Sequence, residues 1–138
     1  MDQTDPSAYS CRTSLIASPS PYGIAETVDR LAAVADARGM SVYARIDHGA
    51  GARAVGLELP EDELTLAGDP RVGTLLIQGE DEGSELPLRV LVWVSAEGTQ
   101  VGFPDPEEVA AAFRLDGRTD VLERMRAGLE ELVAEATA

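Results

Sequence analysis

The sequence is poor in the residue types that most often carry chemistry. Among its 138 residues there is no lysine, one histidine and one cysteine, and aromatic residues make up 4% of the chain. The single Cys11 excludes an intrachain disulfide and leaves no cysteine pair for zinc or redox chemistry. With so few aromatic side chains, the core must consist of aliphatic residues, so a large aromatic pocket is not expected.

Long hydrophobic runs are missing as well. No segment approaches the roughly 20 apolar residues of a membrane span, and the first twenty residues lack the basic start and apolar stretch of a signal peptide. Acidic residues outnumber basic ones by 25 to 11, giving a net charge of −14 that repels phosphate backbones and anionic membranes. We therefore expect a cytoplasmic protein that binds neither nucleic acid nor membranes.

Metal and cofactor sites are not expected either. With one histidine and one cysteine, only carboxylates remain as metal ligands. The acidic runs at residues 61–63 and 80–82 lack the spacing of a calcium-binding loop, and we interpret them as solvated turns. The sequence thus predicts no metal and no cofactor.

Hydrophobic periodicity predicts one α+β domain at residues 9–138, preceded by a flexible lead-in at residues 1–8. Alternating apolar residues predict strands at residues 9–18, 42–47, 55–59, 64–68, 86–94 and 99–103. Helical spacing and start signals predict helices at residues 21–38 and 70–78, one that follows Asp105, and one at residues 118–136. The predicted fold is a mainly antiparallel sheet of about six strands with helices packed on one face.

Two features of this sheet bear on function. Strand 86–94 is predicted to be central, with Arg89, Leu91 and Trp93 on the face opposite its continuous aliphatic side. Strands 55–59 and 64–68 are predicted to form an antiparallel hairpin, after a break at residues 48–51. The segments on either side of this hairpin are then expected to lie near each other.

Four segments, in this order and spacing, resemble a bacterial and archaeal family known as domain of unknown function 302. They are Asp47-His48-Gly49-Ala50, Val55-Gly56-Leu57-Glu58-Leu59, Gly68-Asp69-Pro70-Arg71-Val72-Gly73-Thr74 and Leu86-Pro87-Leu88-Arg89-Val90-Leu91-Val92-Trp93. The resemblance implies a small α+β fold, a homodimer and no established biochemical activity.

The chain also departs from the family pattern. Asp69 replaces the usual asparagine, Phe103 stands where a tyrosine is common, and Ala112 and Phe113 stand where relatives often carry an Arg-His pair. If those polar groups serve a site in relatives, that site is diminished in this chain.

His48 is the only candidate for acid–base catalysis by an imidazole. Asp47 cannot form a simple dyad with it in a regular strand, because neighbouring side chains point to opposite faces. His48 is accordingly a weak catalytic candidate, and Asp47 and His48 together are candidates for ligand contact. The alternative is that both side chains hydrogen-bond the loop backbone and shape the turn.

A second candidate site is the predicted helix start at Asp69-Pro70, where free backbone N–H groups can hold an anion with help from Arg71 and Thr74. Its alternative is a purely structural cap made by Asp69. Arg89 and Trp93 form a third candidate, which could line a pocket or a dimer interface. Their alternative is simple packing, with Arg89 reaching solvent.

Together these observations predict a homodimeric protein that binds or senses a small anionic or partly apolar molecule, without established catalysis. We expect the ligand between the Asp47-His48 loop and the helix start at residues 68–74. One alternative is an enzyme of undefined class that uses His48 as general acid or base. Another is a purely structural interaction module.

Overall fold

Five strands form a single antiparallel sheet in the computed structural model, which describes residues 15–71, 88–113 and 119–138. The strands are β1 (Leu15–Ser20), β2 (Ser41–Asp47), β3 (Asp62–Gly68), β4 (Leu88–Ser95) and β5 (Gly98–Pro104). Their order across the sheet is β1-β5-β4-β3-β2, and all neighbours are antiparallel. β4 lies at the centre, as its aliphatic alternation predicted.

Four helices accompany the sheet in the described part of the chain. They are α1 (Ile24–Ala37), α2 (His48–Ala54), α3 (Pro106–Phe113) and α4 (Thr119–Ala136). The predicted α+β class is therefore confirmed, with five strands where about six were expected. The lead-in at residues 1–8, the beginning of the predicted first strand and most of the predicted helix 70–78 lie outside the described residues; Pro70 and Arg71 are helical.

The hydrophobic core lies between one face of the sheet, here called the inner face, and the helices α1 and α4. Val90 and Val92 of β4 and Val101 and Phe103 of β5 meet Leu31 and its neighbours from the helices. Full burial of each such side chain contributes roughly 1.5–3 kcal/mol. These contacts define the inner face. The opposite face is here called the outer face, and none of the described helices of the core cluster packs on it.

The outer face carries three rows of side chains that cross the sheet, as the strand register shows. The middle row consists of Ile46, Leu64, Leu91, Gly102 and Ala17. On one side of it lies the Arg89 row, with Ala44, Leu66 and Arg89, and on the other the Trp93 row, with Asp62, Trp93, Gln100 and Pro19. The prediction that Arg89, Leu91 and Trp93 share a face is confirmed.

Helix starts follow local hydrogen-bonding chemistry. Asp105 precedes α3, and its Oδ1 accepts a hydrogen bond from the backbone N–H of Glu107 at 3.0 Å, which confirms the predicted cap. α1 begins later than predicted, because Gly23 is its N-cap residue. Ser20 instead accepts a hydrogen bond from Tyr22 N in the turn before the helix.

The predicted strand at residues 55–59 is wrong. Residues 48–54 form α2, and backbone N–H groups of Val55 and Leu57 both bond to the carbonyl of Ala52, with Gly56 at φ 78°. This turn closes the C-terminus of α2 and leaves Val55, Leu57 and Leu59 exposed by 71%, 64% and 46%. β3 pairs with β2 and β4, so the predicted hairpin with residues 55–59 does not form.

Candidate functional site

Asp47 and His48 lie where β2 passes into α2. Asp47 is the N-cap residue of this helix, and its Oδ1 accepts a hydrogen bond from Ala50 N at 2.9 Å. His48 is the first helical residue and is exposed. The Asp47 carboxylate thus shapes the turn into α2, and ligand contact by Asp47 and His48 stays a prediction.

Asp69 and Arg71 follow the end of β3 and bind each other. Asp69 Oδ1 accepts hydrogen bonds from the backbone N–H of Arg71 at 2.9 Å and from its Nε at 3.1 Å, and Oδ2 accepts one from Nη2 at 3.1 Å. The hydrogen bonds that Asp69 accepts from the Arg71 guanidinium raise the pKa of that guanidinium. The cation predicted to hold an anionic ligand is thus engaged with a carboxylate of its own chain. Thr74 lies outside the described residues.

These two candidate sites do not adjoin. β2 and β3 run antiparallel with Asp47 opposite Glu63 and Ser41 opposite Gly68. The five residue steps along β3 from Glu63 to Gly68 span about 17 Å at ~3.4 Å per residue. The predicted hairpin of residues 55–59, which was expected to bring both segments together, is not formed. A shared binding site therefore stays a prediction without support from this pairing.

Arg89 and Trp93 share the outer face of β4 but stand in different rows. Trp93 stands four residue steps beyond Arg89 along β4, which is about 14 Å. Arg89 is exposed, whereas Trp93 is half-buried and its indole lies against Gly102 on β5. Both residues therefore belong to one apolar surface, which also contains Leu64, Leu66 and Leu91.

Asp62 is a charged residue of this surface that sequence reasoning missed. It is the first residue of β3 and lies directly opposite Trp93. Its Oδ1 is buried and has no hydrogen-bond partner among the residues that the structure describes. The run at residues 61–63 was interpreted as a solvated turn, and only the strand register reveals that Asp62 joins the outer face.

A second charged cluster lies at the inner face and is fully paired. Arg45 of β2 contacts Asp29 of α1 at 3.0 Å and Glu63 of β3 at 3.2 Å. Partial burial lowers the pKa of Arg45, but the hydrogen bonds to both carboxylates outweigh it, so the pKa is raised overall. This cluster joins α1 to the edge of the sheet.

Within the described ranges, no three acidic, histidine or cysteine side chains come together as a metal site.

Comparison with known proteins assigns the family and the fold. The protein family described as "Domain of unknown function DUF302" matches residues 16–136. A crystal structure of an "uncharacterized conserved protein DUF302 from Bacillus stearothermophilus" has a TM-score of 0.72 and 18% sequence identity, covering 89% of this chain and 94% of that one. The likeness extends over nearly the whole of both chains.

Curated relatives come from Brucella. Proteins named "Fluoride-specific ion channel FluC 1" from Brucella suis biovar 1 (strain 1330) and Brucella abortus biovar 1 (strain 9-941) are 39% identical over 118 residues. The match covers 84% of this chain but 46% and 44% of those proteins, so the chain spans less than half of their length. None of the helices described in this chain is both long and apolar enough to cross a membrane.

Proposed function

The chain belongs to the DUF302 family, a domain of unknown function, and we propose that it acts as an interaction module that closes into a homodimer through the outer face of its sheet. The observation that carries this proposal is the composition of that face. Its middle row is apolar from edge to edge, and none of its side chains belongs to the described hydrophobic core cluster. An apolar sheet face of this kind is typical of a protein–protein contact.

The exposure of the individual residues supports the same proposal. Leu15 and Ile46, near opposite edges of the sheet, are 41% and 39% exposed, and Leu64, Leu66 and Leu91 between them are half-buried. Trp93 adds a large amphipathic ring, a residue type enriched among the anchors of interfaces. Contact with a second copy would remove this apolar surface from water, which is favourable by roughly 25 cal/mol per Å².

The size of the face fits a small dimer. Five strands spaced at ~4.8 Å and three rows spaced at ~6.8 Å give a flat area of roughly 500 Å² per copy. Two copies together then bury on the order of 1,000 Å², which is near the lower bound for a specific interface. We therefore expect a dimer that dissociates on dilution.

A second copy of the chain is the partner that this face fits best. A two-fold dimer brings the same patch of both subunits together, so the patch must be complementary to itself. The middle row meets this condition, because it is apolar throughout and can pack on its own copy. Both charges of the face, Asp62 and Arg89, lie outside the middle row.

The small-molecule site predicted from the sequence has weaker support. Its two halves lie at opposite ends of β3, and Arg71 is engaged with Asp69. Catalysis by His48 stays a prediction, and the neighbouring Asp47 carboxylate is engaged in capping α2. Of the predicted site residues, Arg89 and Trp93 lie on the outer face, in the rows that flank the middle row.

Sedimentation velocity of the purified chain over a hundredfold range of concentration tests the dimer. We expect the native chain to sediment as a dimer at high concentration and Leu91→Asp to sediment as a monomer, because a charge in the middle row opposes desolvation of the face. Val94→Asp is the matched control: this residue lies on the same strand, points to the other face and is exposed. It should leave the dimer intact.

A second variant, at an exposed position, is needed in case Leu91→Asp does not fold. Ile46→Asp also introduces a carboxylate into the middle row, but at an edge position where the folded monomer tolerates it. Far-UV circular dichroism verifies that each variant is folded. A native chain that stays monomeric at all concentrations, or folded Leu91→Asp and Ile46→Asp variants that dimerise like the native chain, would overturn the proposal.

A further inference from the structure

We propose that residues 55–61, here called the docking segment, bind a basic and apolar peptide of another protein. The inference does not depend on the proposed homodimer, because this segment precedes β3 and has no place in the three rows of the outer face. It gives a role to the stretch whose alternation of apolar residues the sheet does not use.

The first argument is the exposure of the apolar side chains in the docking segment. Every residue from 53 to 61 is exposed, including Val55, Leu57 and Leu59. Single exposed leucines are common on protein surfaces and need no explanation. Large aliphatic side chains that follow one another this closely form a contiguous patch, which is typical of a binding surface.

The second argument is that the docking segment is held at both ends. At its start, the backbone N–H groups of Val55 and Leu57 donate to the carbonyl of Ala52 at 3.1 and 2.9 Å. At its end, the carbonyl of Glu61 accepts a hydrogen bond from Val94 N at 3.2 Å. An anchored segment loses little conformational freedom when a partner binds, so its exposed side chains are pre-organised for contact.

The third argument is the charge around the patch. Glu58 and Glu61 are exposed and form no ion pair with a described residue. The arginine that precedes them, Arg53, lies near Asp47. Asp47 Oδ1 and Arg53 Nη1 are 3.3 and 3.4 Å from the position that a Cβ atom would take at Gly49. The docking segment therefore combines aliphatic side chains with carboxylates that are not neutralised.

This charge determines which partner the segment fits. A second copy would bring the glutamates of both segments together, and like charges in an interface are unfavourable. Anionic lipids and the phosphates of nucleic acids are repelled by the net charge of −14. A peptide with arginine or lysine beside apolar residues offers complementary charge and removes the aliphatic side chains from water.

Binding of two synthetic peptides to the native chain tests the proposal. One is a short, fluorescein-labelled peptide of alternating leucine and lysine, and the other has glutamate in place of lysine. Fluorescence anisotropy at physiological salt should show that the native chain binds the lysine peptide. The glutamate peptide should bind more weakly by about tenfold or more, because its charge repels the segment.

Substitution of the leucines identifies the surface that binds. Leu57→Ser together with Leu59→Ser should weaken binding of the lysine peptide by about tenfold or more. The matched control is Leu15→Ser together with Tyr43→Ser, because these hydrophobic residues are also exposed but belong to β1 and β2. The control should bind the lysine peptide like the native chain.

Substitution of the glutamates measures the contribution of charge. Glu58→Gln together with Glu61→Gln should weaken binding about threefold, since exposed charges contribute little each. Asp36→Asn together with Glu123→Gln removes the same charge from exposed positions in α1 and α4 and should have a smaller effect. All substituted residues are exposed, so the variants should fold, which far-UV circular dichroism verifies.

The outcomes separate the docking segment from general attraction and from self-association. Loss of binding in the leucine variant, with intact binding in its control, supports the proposal. A native chain that binds neither peptide overturns it, and so does a leucine variant that binds the lysine peptide like the native chain. A leucine variant that loses self-association in sedimentation velocity but keeps peptide binding would assign the segment to the dimer and also overturn the proposal.

Discussion

Trp93 of β4 lies directly on the backbone of Gly102 in β5. A Cβ atom at Gly102 would stand 3.1 Å from Cη2 and 3.2 Å from Cζ3 of the indole, and 3.3 Å from the carbonyl oxygen of Ile16. These distances are shorter than normal carbon contacts, so the glycine provides room. Its missing side chain lets an aromatic ring cross from one strand to the next on the outer face.

Gly102→Ala should therefore displace Trp93. We expect the free energy of unfolding to fall by about 1–2 kcal/mol from overpacking, together with a shift of the tryptophan emission. Gly128→Ala is the control, because nothing lies within 4 Å of its added Cβ in α4, and alanine should raise helix stability by ~0.5–1 kcal/mol. Urea titrations at one fixed protein concentration measure both, and equal effects of the two substitutions would contradict the prediction.

Thr65 and Thr27 provide a pair with opposite expectations. Both are buried at the inner side of the sheet, but Thr65 Oγ1 makes no hydrogen bond in the described structure, whereas Thr27 Oγ1 lies 2.7 Å from Ser20 Oγ. Thr65→Val should be neutral or stabilising, because it removes an unsatisfied hydroxyl at nearly constant volume. Thr27→Val should cost about 1 kcal/mol by breaking a buried hydrogen bond. Thermal or urea unfolding measures the change in the free energy of unfolding for each variant. Destabilisation of similar size in both variants would contradict the prediction.

Asp47→Ala should be more harmful than His48→Ala. The Asp47 carboxylate binds Ala50 N at the start of α2, and losing such a cap costs about 1 kcal/mol. His48 is exposed, and substitution of an exposed residue changes stability by no more than about 0.5 kcal/mol. Hydrogen exchange of the α2 amides should rise in the first variant and stay unchanged in the second. A large stability loss in His48→Ala would show that the imidazole has a structural role.

Arg30 joins α1 to the end of α4. Its Nε donates to Ala136 O at 2.6 Å and its Nη2 donates to Ala138 O at 3.1 Å, while the guanidinium carbon lies 4.2 Å from the centroid of the Tyr22 ring. A cation near a helix C-terminus is also favoured by the helix dipole. Arg30→Ala should lower the free energy of unfolding by about 1–2 kcal/mol.

Tyr22→Phe serves as the graded control for Arg30→Ala. It removes the hydrogen bond from the tyrosine hydroxyl to Ala138 O but keeps the ring under the guanidinium. We expect a loss of about 0.5 kcal/mol, measured in the same urea titrations. A loss as large as that of Arg30→Ala would mean that the hydroxyl, and not the guanidinium, holds the helix end.

Much of the fold follows from local patterns in the sequence. The alternation of Val90 and Val92 with Leu91 places β4 at the centre, and Asp105 marks the start of α3, because one-residue alternation and side-chain caps act over short distances. The strand pattern of Val55, Leu57 and Leu59 is misleading for a different reason. These residues alternate like a half-buried strand, but they follow the closing turn of α2 and stay exposed.

The candidate site was harder to predict, because it depends on which strands become neighbours. Asp47 and Asp69 were each recognised as turn or cap residues, and their local hydrogen bonds agree with that interpretation. Their separation along β3 follows only from the pairing of β2 with β3. Asp62 illustrates the same limit, since no local signal indicates that its carboxylate lies opposite Trp93.

The two edge strands of the described sheet, β1 and β2, each carry a feature that hinders the addition of a further strand. The pairing of β2 shifts register between Val42 and Ala44, and β1 contains Pro19, which has no backbone N–H to offer a further strand. A register shift on one edge of the described sheet and a proline on the other hinder the strand-by-strand addition through which open sheets grow into fibrils. A chain with this much exposed aliphatic surface is thereby guarded against amyloid-like aggregation.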